Sequence, residues 1–309
     1  MKSRIFLLMF IFLFVFSVSS TKAAQQKPDK QKAAHHYLTF EDILSRPSSA
    51  PDAKIFYGTD PLQYGELRIP KGKGPHPLAI LLHAGCWLSM GNLKLMNPVA
   101  DELKKIGIAT WNLEFRPVDN PGGAWPGIFL DVAKGIDYVR NLKRRYNLDL
   151  DHVVLIGHSA GGHLALWAAV RSKMPKSSPL YSPNPLKLSG VLCLAGVTDI
   201  RPAVQRSKAV CGVEATVLLL GGTPEEYPER HRITSPIEML PSGVKEIVVY
   251  GSDDNVFFPE YGCEYIDAAK SKGQNIGLLV IPDAAHNELI APWTRGWPII
   301  ESAMLSLFH

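Results

Sequence analysis

The chain has 309 residues, 46% of them hydrophobic and 20% charged, with a formal charge of +4; this is the composition of a globular protein with a sizeable core and excludes disordered and collagen-like classes. Removing residues 1–24 takes away Lys2, Arg4 and Lys22 and no acid, which lowers the charge to +1 and argues against nucleic acid as a partner. Four cysteines, Cys86, Cys193, Cys211 and Cys263, lack C-x-x-C spacing, so neither a metal cluster nor a cofactor is expected.

Met1–Arg4 is basic, Ile5–Val18 is apolar and Ser19–Ala24 is rich in small residues, the pattern of a secretory signal peptide cleaved after Ala23 or Ala24. The apolar run is shorter than the roughly 20 residues that span a bilayer, so no stable membrane span is expected after cleavage, and the protein is read as secreted or periplasmic. In such an oxidising compartment one disulfide is expected, with Cys211 to Cys263 favoured because Cys86 and Cys193 lie in apolar strand-end surroundings. Residues 25–48 are polar and lysine-rich and read as a tether, and His35-His36 within it is an exposed pair without further ligands. Residues 49–309 form the folded domain.

Short strands at Ile55–Gly58 and Leu67–Pro70, ended by the turn cluster Lys71–Pro75, predict an antiparallel pair at a sheet edge. Continuous apolar runs then recur at Pro77–Leu82, Gly107–Phe115, Val153–Ile156, Val191–Leu194, Glu246–Tyr250 and Leu278–Ile281, which predicts strands buried on both faces. Between them Ile128, Val132, Ile136 and Val139 keep helical spacing, as do Leu164, Trp167, Ala168 and Val170. The basic run Lys143-Arg144-Arg145 complements the end of a helical stretch. Further helices are expected from Pro259 to a stop at Gly273 and from Trp297 to Leu307. The alternation predicts one doubly wound, mostly parallel α/β sheet flanked by helices, with ligands at the carboxyl ends of its strands. Residues 199–232, with Pro202, Pro224, Pro228 and Gly221-Gly222, break the alternation and read as a small cap insertion that shapes a substrate pocket.

Four strand ends carry the chemistry. Gly157-His158-Ser159-Ala160-Gly161 stands between an apolar strand and an alanine- and leucine-rich helix, the context of a nucleophile elbow. A nucleophilic serine needs a base, an acid to orient it and donors for the oxyanion. Downstream, one strand ends in Asp253-Asp254 and the next leads to His286, the serine, acid, histidine order of an α/β-hydrolase. Either aspartate could reach the imidazole; Asp283, on the histidine's own loop, is less suited. After the third strand, His83-Ala84-Gly85-Cys86-Trp87 occupies the place of an HGGG-type loop. The N–H groups of Gly85, Cys86 and Ala160 are the expected oxyanion donors, and His83 is expected to brace the loop. Trp87, Trp125, Phe257 and Phe258 are candidates for an apolar substrate pocket.

The motifs His83–Trp87, Glu114-Phe115-Arg116, Gly122–Pro126, Gly157–Gly162, Gly251-x-x-Asp254-x-Val256 and Ala285-His286 together resemble α/β-hydrolases of the esterase/lipase group. Within it they are similar to the branch with an H-G-G-x-W loop, which holds feruloyl-esterase-like carboxylesterases, kynurenine-formamidase-like enzymes and relatives of prolyl oligopeptidase. The resemblance covers about residues 50–295 and implies that Asp254, three after the glycine, is the acid. Ala84 departs from the family's usual glycine. What it implies is a secreted serine carboxylesterase acting on a small-molecule ester of a small or aromatic acid. Amide or formamide hydrolysis and a prolyl-oligopeptidase-like peptidase are the alternatives, and a non-catalytic binding fold is disfavoured by the complete triad.

Overall fold

Strands of branched apolar residues need cover on both faces, and the inner strands of one eight-stranded sheet find it, while the two strands at its edges stay part-exposed. In the computed structural model, which describes residues 36–309, the eight are β1 (Ala53–Phe56), β2 (Tyr64–Arg68), β3 (His76–Leu82), β4 (Ala109–Leu113), β5 (Leu148–His158), β6 (Gly190–Leu194), β7 (Lys245–Gly251) and β8 (Ile276–Ile281). Their spatial order is β1-β2-β4-β3-β5-β6-β7-β8. β1 pairs antiparallel with β2 and β2 with β4, and every other pairing is parallel. This is the doubly wound, mostly parallel α/β sheet that the alternation predicts, and the α/β-hydrolase architecture that the resemblance implies. The expected signal peptide at 1–24 and tether residues 25–35, His35 included, lie outside the described residues.

The register levels the carboxyl ends of the central strands. Leu82 stands opposite Gly157, His158 opposite Leu194 and Gly251 opposite Ile281. The loops after β3, β5, β7 and β8 therefore leave the sheet along one rim.

The helices are α1 (Phe40–Leu44), α2 (Asn97–Lys105), α3 (Gly127–Asp137), α4 (Val139–Tyr146), α5 (Ala160–Ala169), α6 (Ile200–Cys211), α7 (Ala215–Leu220), α8 (Pro228–Arg232), α9 (Pro259–Ser271) and α10 (Trp297–Leu305). α5 is buried along its whole length, so its apolar residues have no polar side to show. The stripe expected over 128–139 is divided at Tyr138 between α3 and α4. α2 had no counterpart in the sequence pattern, since its apolar buried residues Val99, Ala100 and Leu103 span little more than one turn. The 199–232 insertion is helical, holding α6, α7 and α8.

Two expectations need correction. The tether does not run to residue 48: Thr39 caps α1 with a reciprocal capping box to Asp42, and Ile43 is 1% exposed in the core. Burying such a side chain stabilises by about 1.5–3 kcal/mol, enough to hold a short segment that also has hydrogen-bond partners. The disulfide joins Cys86 to Cys211, with Cα atoms 6.1 Å apart, and leaves Cys193 buried and Cys263 exposed as free thiols. The end of α6 reaches back over the loop after β3, whereas Cys263 faces out from α9. An apolar neighbourhood did not keep Cys86 from pairing.

The Cys86–Cys211 link spans a sequence separation of 125 residues. Cross-links of this kind contribute about 2–4 kcal/mol. Cys211→Ala is expected to lower unfolding free energy in urea by about that amount, whereas Cys263→Ala should stay within about 0.5 kcal/mol of the unsubstituted protein.

Candidate active site

The strand order turns at β3 and β5: β4 lies on one side of β3, while β5 through β8 extend on the other. A crevice opens beyond the carboxyl ends at such a switch point. Ser159 is the one residue between β5 and α5, at φ 54 and ψ −117. For a residue with a side chain that conformation costs on the order of 1–3 kcal/mol. It is held from both sides, because the Ser159 N–H donates to the Leu194 carbonyl at 2.8 Å and the Ser159 carbonyl accepts from the His163 N–H at 3.1 Å. A Cβ on Gly161 would lie 2.2 Å from the Leu82 carbonyl oxygen and 2.6 Å from that of His83. Only glycine lets the elbow seat against the end of β3.

The loop after β3 turns through three successive left-handed residues, Gly85 (φ 123), Cys86 (φ 56) and Trp87 (φ 61). Neither the Gly85 nor the Cys86 N–H meets a backbone carbonyl among the described residues. The Ala160 N–H opens α5, where the first amides have no partner within the helix. All three belong to segments beside Ser159.

His83 is buried and lies under this loop. Its Nδ1 is 2.7 Å from the Ala84 carbonyl, its Nε2 is 2.8 Å from Glu114 Oε1, and its ring stacks on Phe115 with centroids 4.2 Å apart. Glu114 also accepts from the N–H groups of Leu93 and Phe115. Burial pushes the Glu114 carboxyl up, but the charge and hydrogen bond of His83 together with those two amides outweigh it and hold the group below its usual value.

His286 follows β8. Its Nδ1 is 2.9 Å from Asp254 Oδ2, and the other oxygen of Asp254 accepts from the N–H groups of Val256 and Phe257. Asp254 is 2% exposed. Asp253 turns outward and accepts from the Tyr37 hydroxyl and the Ser252 hydroxyl, and the Asp283 N–H donates to Ser252. Of the three carboxylates, Asp254 is the one on the imidazole. His158, fully buried, has a basicity lowered by burial first and by neighbouring His286 second. Its Nε2–H, neutral as a donor, meets the His286 carbonyl at 3.0 Å.

Ser159, His286, Gly85 and Cys86 face one cavity of about 230 Å³. A hydroxyl, an imidazole held by a buried carboxylate, and backbone amides around one void are the parts that nucleophilic attack on a carbonyl requires. The cavity's remaining walls differ from those expected. Trp87 is buried, with its Nε1–H on His163 Nδ1 at 3.2 Å. Trp125 packs on Phe129 and borders a separate hollow with Tyr227 and Arg230. Phe257 lies beneath His286, its ring centroid 6.5 Å away, and Phe258 is exposed under Arg206. None of the four lines the cavity. Their place is taken by Tyr37, Leu38 and Phe40 from the supposed tether, by Met90, by Val210 of α6 and by Val256. The Thr39-x-x-Asp42 capping spacing just after Tyr37-Leu38 was the signal that could have found that segment. Among the described residues no group of three or more histidines, cysteines or carboxylates is arranged to hold a metal ion.

The BD-FAE family profile matches residues 67–262, more than half of the chain. The chain belongs to the BD-FAE family. That agrees with the resemblance to α/β-hydrolase esterases, and BD-FAE membership covers the elbow, the loop after β3 and Asp254. Beyond the family, the chain is 24% identical to esterase LipC of Mycobacterium tuberculosis over 261 residues, 82% of this chain and 64% of LipC. It thus spans a little under two-thirds of that relative. A truncated carbohydrate esterase from gut microbiota superposes with a TM-score of 0.70 at 19% identity, covering 84% of this chain and 96% of that one. Esterase B from Lactobacillus rhamnosis, solved with a tributyrin phosphonate, also gives 0.70, at 18% identity, covering 84% and 87%. At such identities the two structures speak for the fold.

The lowered Glu114 carboxyl has a consequence for stability. Its stabilisation is complete above the unfolded value of 4.5 and is lost as pH falls through the lower folded value. Unfolding free energy of the unsubstituted protein is expected to decline below about pH 4.5, and its advantage over Glu114→Gln to shrink in the same range, as read by urea titrations at several pH values.

Proposed function

We propose that this protein is an exported serine carboxylesterase with Ser159 as nucleophile, His286 as general base and acid, and Asp254 as the group that orients the imidazole. The observation that carries the reading is the His286–Asp254 pair facing the same cavity as a serine held at a strained strand-to-helix turn. His286 Nδ1 is engaged by Asp254, which leaves Nε2 to take the Ser159 proton as Oγ attacks the acyl carbonyl. The oxyanion is stabilised by the N–H groups of Gly85, Cys86 and Ala160, held rigid by the His83–Glu114 brace. His286 then returns the proton to the leaving alcohol, and water, activated by the same imidazole, releases the acid.

The cavity of about 230 Å³ is smaller than the roughly 300–1,000 Å³ of sites for drug-sized ligands, which favours small esters. LipC is named an esterase and the structural neighbours are a carbohydrate esterase and esterase B; carried to this chain, those names favour an ester over an amide. Export is supported by the leader-like residues 1–24 and by the Cys86–Cys211 disulfide, which suits an oxidising compartment. No helix among the described residues is long and apolar enough to cross a membrane.

A fluorophosphonate should label the protein once, and Ser159→Ala should abolish both labelling and turnover of a p-nitrophenyl ester. Equal labelling of the variant would remove Ser159 from the role. Asp254→Asn is expected to lower kcat by about 10³–10⁴-fold, since the imidazole then loses its orienting charge, whereas Asp253→Asn should cost under about tenfold. A reversed ranking would reassign the acid.

A further inference from the structure

We infer that the arm Tyr37–Phe40 forms the alcohol side of the substrate site, and that it selects an apolar alcohol group; this deepens the ester-hydrolase reading and rests on it. The arm belongs structurally to the histidine loop. The Leu38 N–H donates to Glu288 Oε1 at 2.6 Å, and the Leu38 carbonyl accepts from Asn287 Nδ2 at 2.8 Å. The Tyr37 hydroxyl donates to Asp253 Oδ2 at 2.6 Å, beside the acid loop. Glu288 is 5% exposed, and its second oxygen accepts from the Ala285 N–H at 3.1 Å, one residue before His286. A single buried carboxylate therefore fixes both the arm and the backbone that carries the imidazole.

The direction of proton transfer then decides which part of the ester meets the arm. The departing alkoxide must stand within hydrogen-bond reach of His286 Nε2, because that nitrogen protonates it as the bond from the carbonyl carbon to oxygen breaks. Walls built on the histidine loop consequently face the alcohol, whereas the acyl group stays bonded to Ser159. Leu38 and Phe40 are half-buried and line the cavity together with Asn287. The Tyr37 hydroxyl, the Leu38 main chain and the Thr39 side chain are engaged by Asp253, by Glu288 and Asn287, and by Asp42, so what the arm offers to a ligand is chiefly the hydrocarbon of Leu38 and Phe40. On the arm itself a sugar alcohol finds few hydrogen-bond partners, the polar groups of this wall being Asn255 and the Asn287 Oδ1 beside it, whereas an alkyl or aryl alcohol finds contact with Leu38 and Phe40.

The test uses the full chain and two ester series, acetates of methanol, butanol and phenol, and methyl esters of acids of two to eight carbons. Rates are expressed per site titrated with fluorophosphonate, so that incompletely folded variants do not distort them. Leu38→Ala is expected to reduce the preference for butyl and phenyl over methyl acetate, as a ratio of kcat/KM, by about tenfold. Phe40→Ala should move the ratio the same way, and Leu38→Met, which keeps an apolar side chain of similar length, should retain it. The acyl-chain profile should shift less than about twofold in each. A shift in the acyl profile in place of the alcohol ratio, or no shift in either, overturns the inference. Turnover surviving in Ser159→Ala would instead overturn the reading of the site itself.

Discussion

Everything at the rim of this sheet depends on one close approach, that of the Gly161 backbone to the carbonyl oxygens of Leu82 and His83. A parallel sheet exposes little of its strands, so a hydroxyl rises above it only if the chain passes from strand to helix within one residue. That passage forces Ser159 into a left-handed conformation and brings the start of α5 against the end of β3. The strain is local and its compensation is spread: hydrogen bonds to Leu194 and from His163, and the burial of the whole of α5, hold the turn in place. Because the register levels the ends of β3, β5, β7 and β8, the same geometry that lifts Ser159 also decides where the loop after β3 and the His286 loop must leave the sheet.

The two loops are then stiffened by charge. Under the β3 loop, Glu114 and His83 form a buried pair whose remaining acceptor capacity is used by the amides of Leu93 and Phe115. Under the histidine loop, Glu288 gathers the amides of Leu38 and Ala285. In both places a nearly buried carboxylate is acceptable because backbone amides satisfy it, joined at Glu114 by the His83 imidazole. The arrangement resembles a set of guy lines, with the cavity between them walled by Leu38, Phe40, Met90, Val210 and Val256 beside Asn255 and Asn287. His158 adds a neutral donor to the His286 carbonyl and so steadies the imidazole's main chain without contributing charge.

Much of this was legible in the sequence, for a physical reason. Runs such as Val153–Ile156 and Ile247–Tyr250 are hydrophobic on both faces, which only central strands of a covered sheet require, and the chemistry-bearing residues follow those runs directly. Counting strand ends therefore reaches Ser159, the Asp253-Asp254 pair and His286, while the choice of Asp254 within the pair comes from the family resemblance. The pocket was not legible, because it is built from side chains whose neighbours come from distant segments. Trp87 and Phe257 are close to strand ends in sequence and yet turn inward, since large rings recover more by full burial than by lining a small void. Lysine-rich composition around residues 25–32 masked the change of character at Tyr37, where a capping box and three apolar residues dock the chain. The disulfide escaped for the same reason, since the end of α6 in the insertion, and not spacing along the chain, brings Cys211 to Cys86.

The double duty of Glu288 sets how the arm can yield. A substituent that pries Leu38 away leaves a carboxylate at 5% exposure with one of its two amides gone. Stripping a buried charge of a partner is far costlier than bending a side chain. The arm should accordingly behave as a latch, docked or released as a unit, and not as a spring. A latch gives sharp size discrimination, because ligands just too large gain nothing from partial displacement.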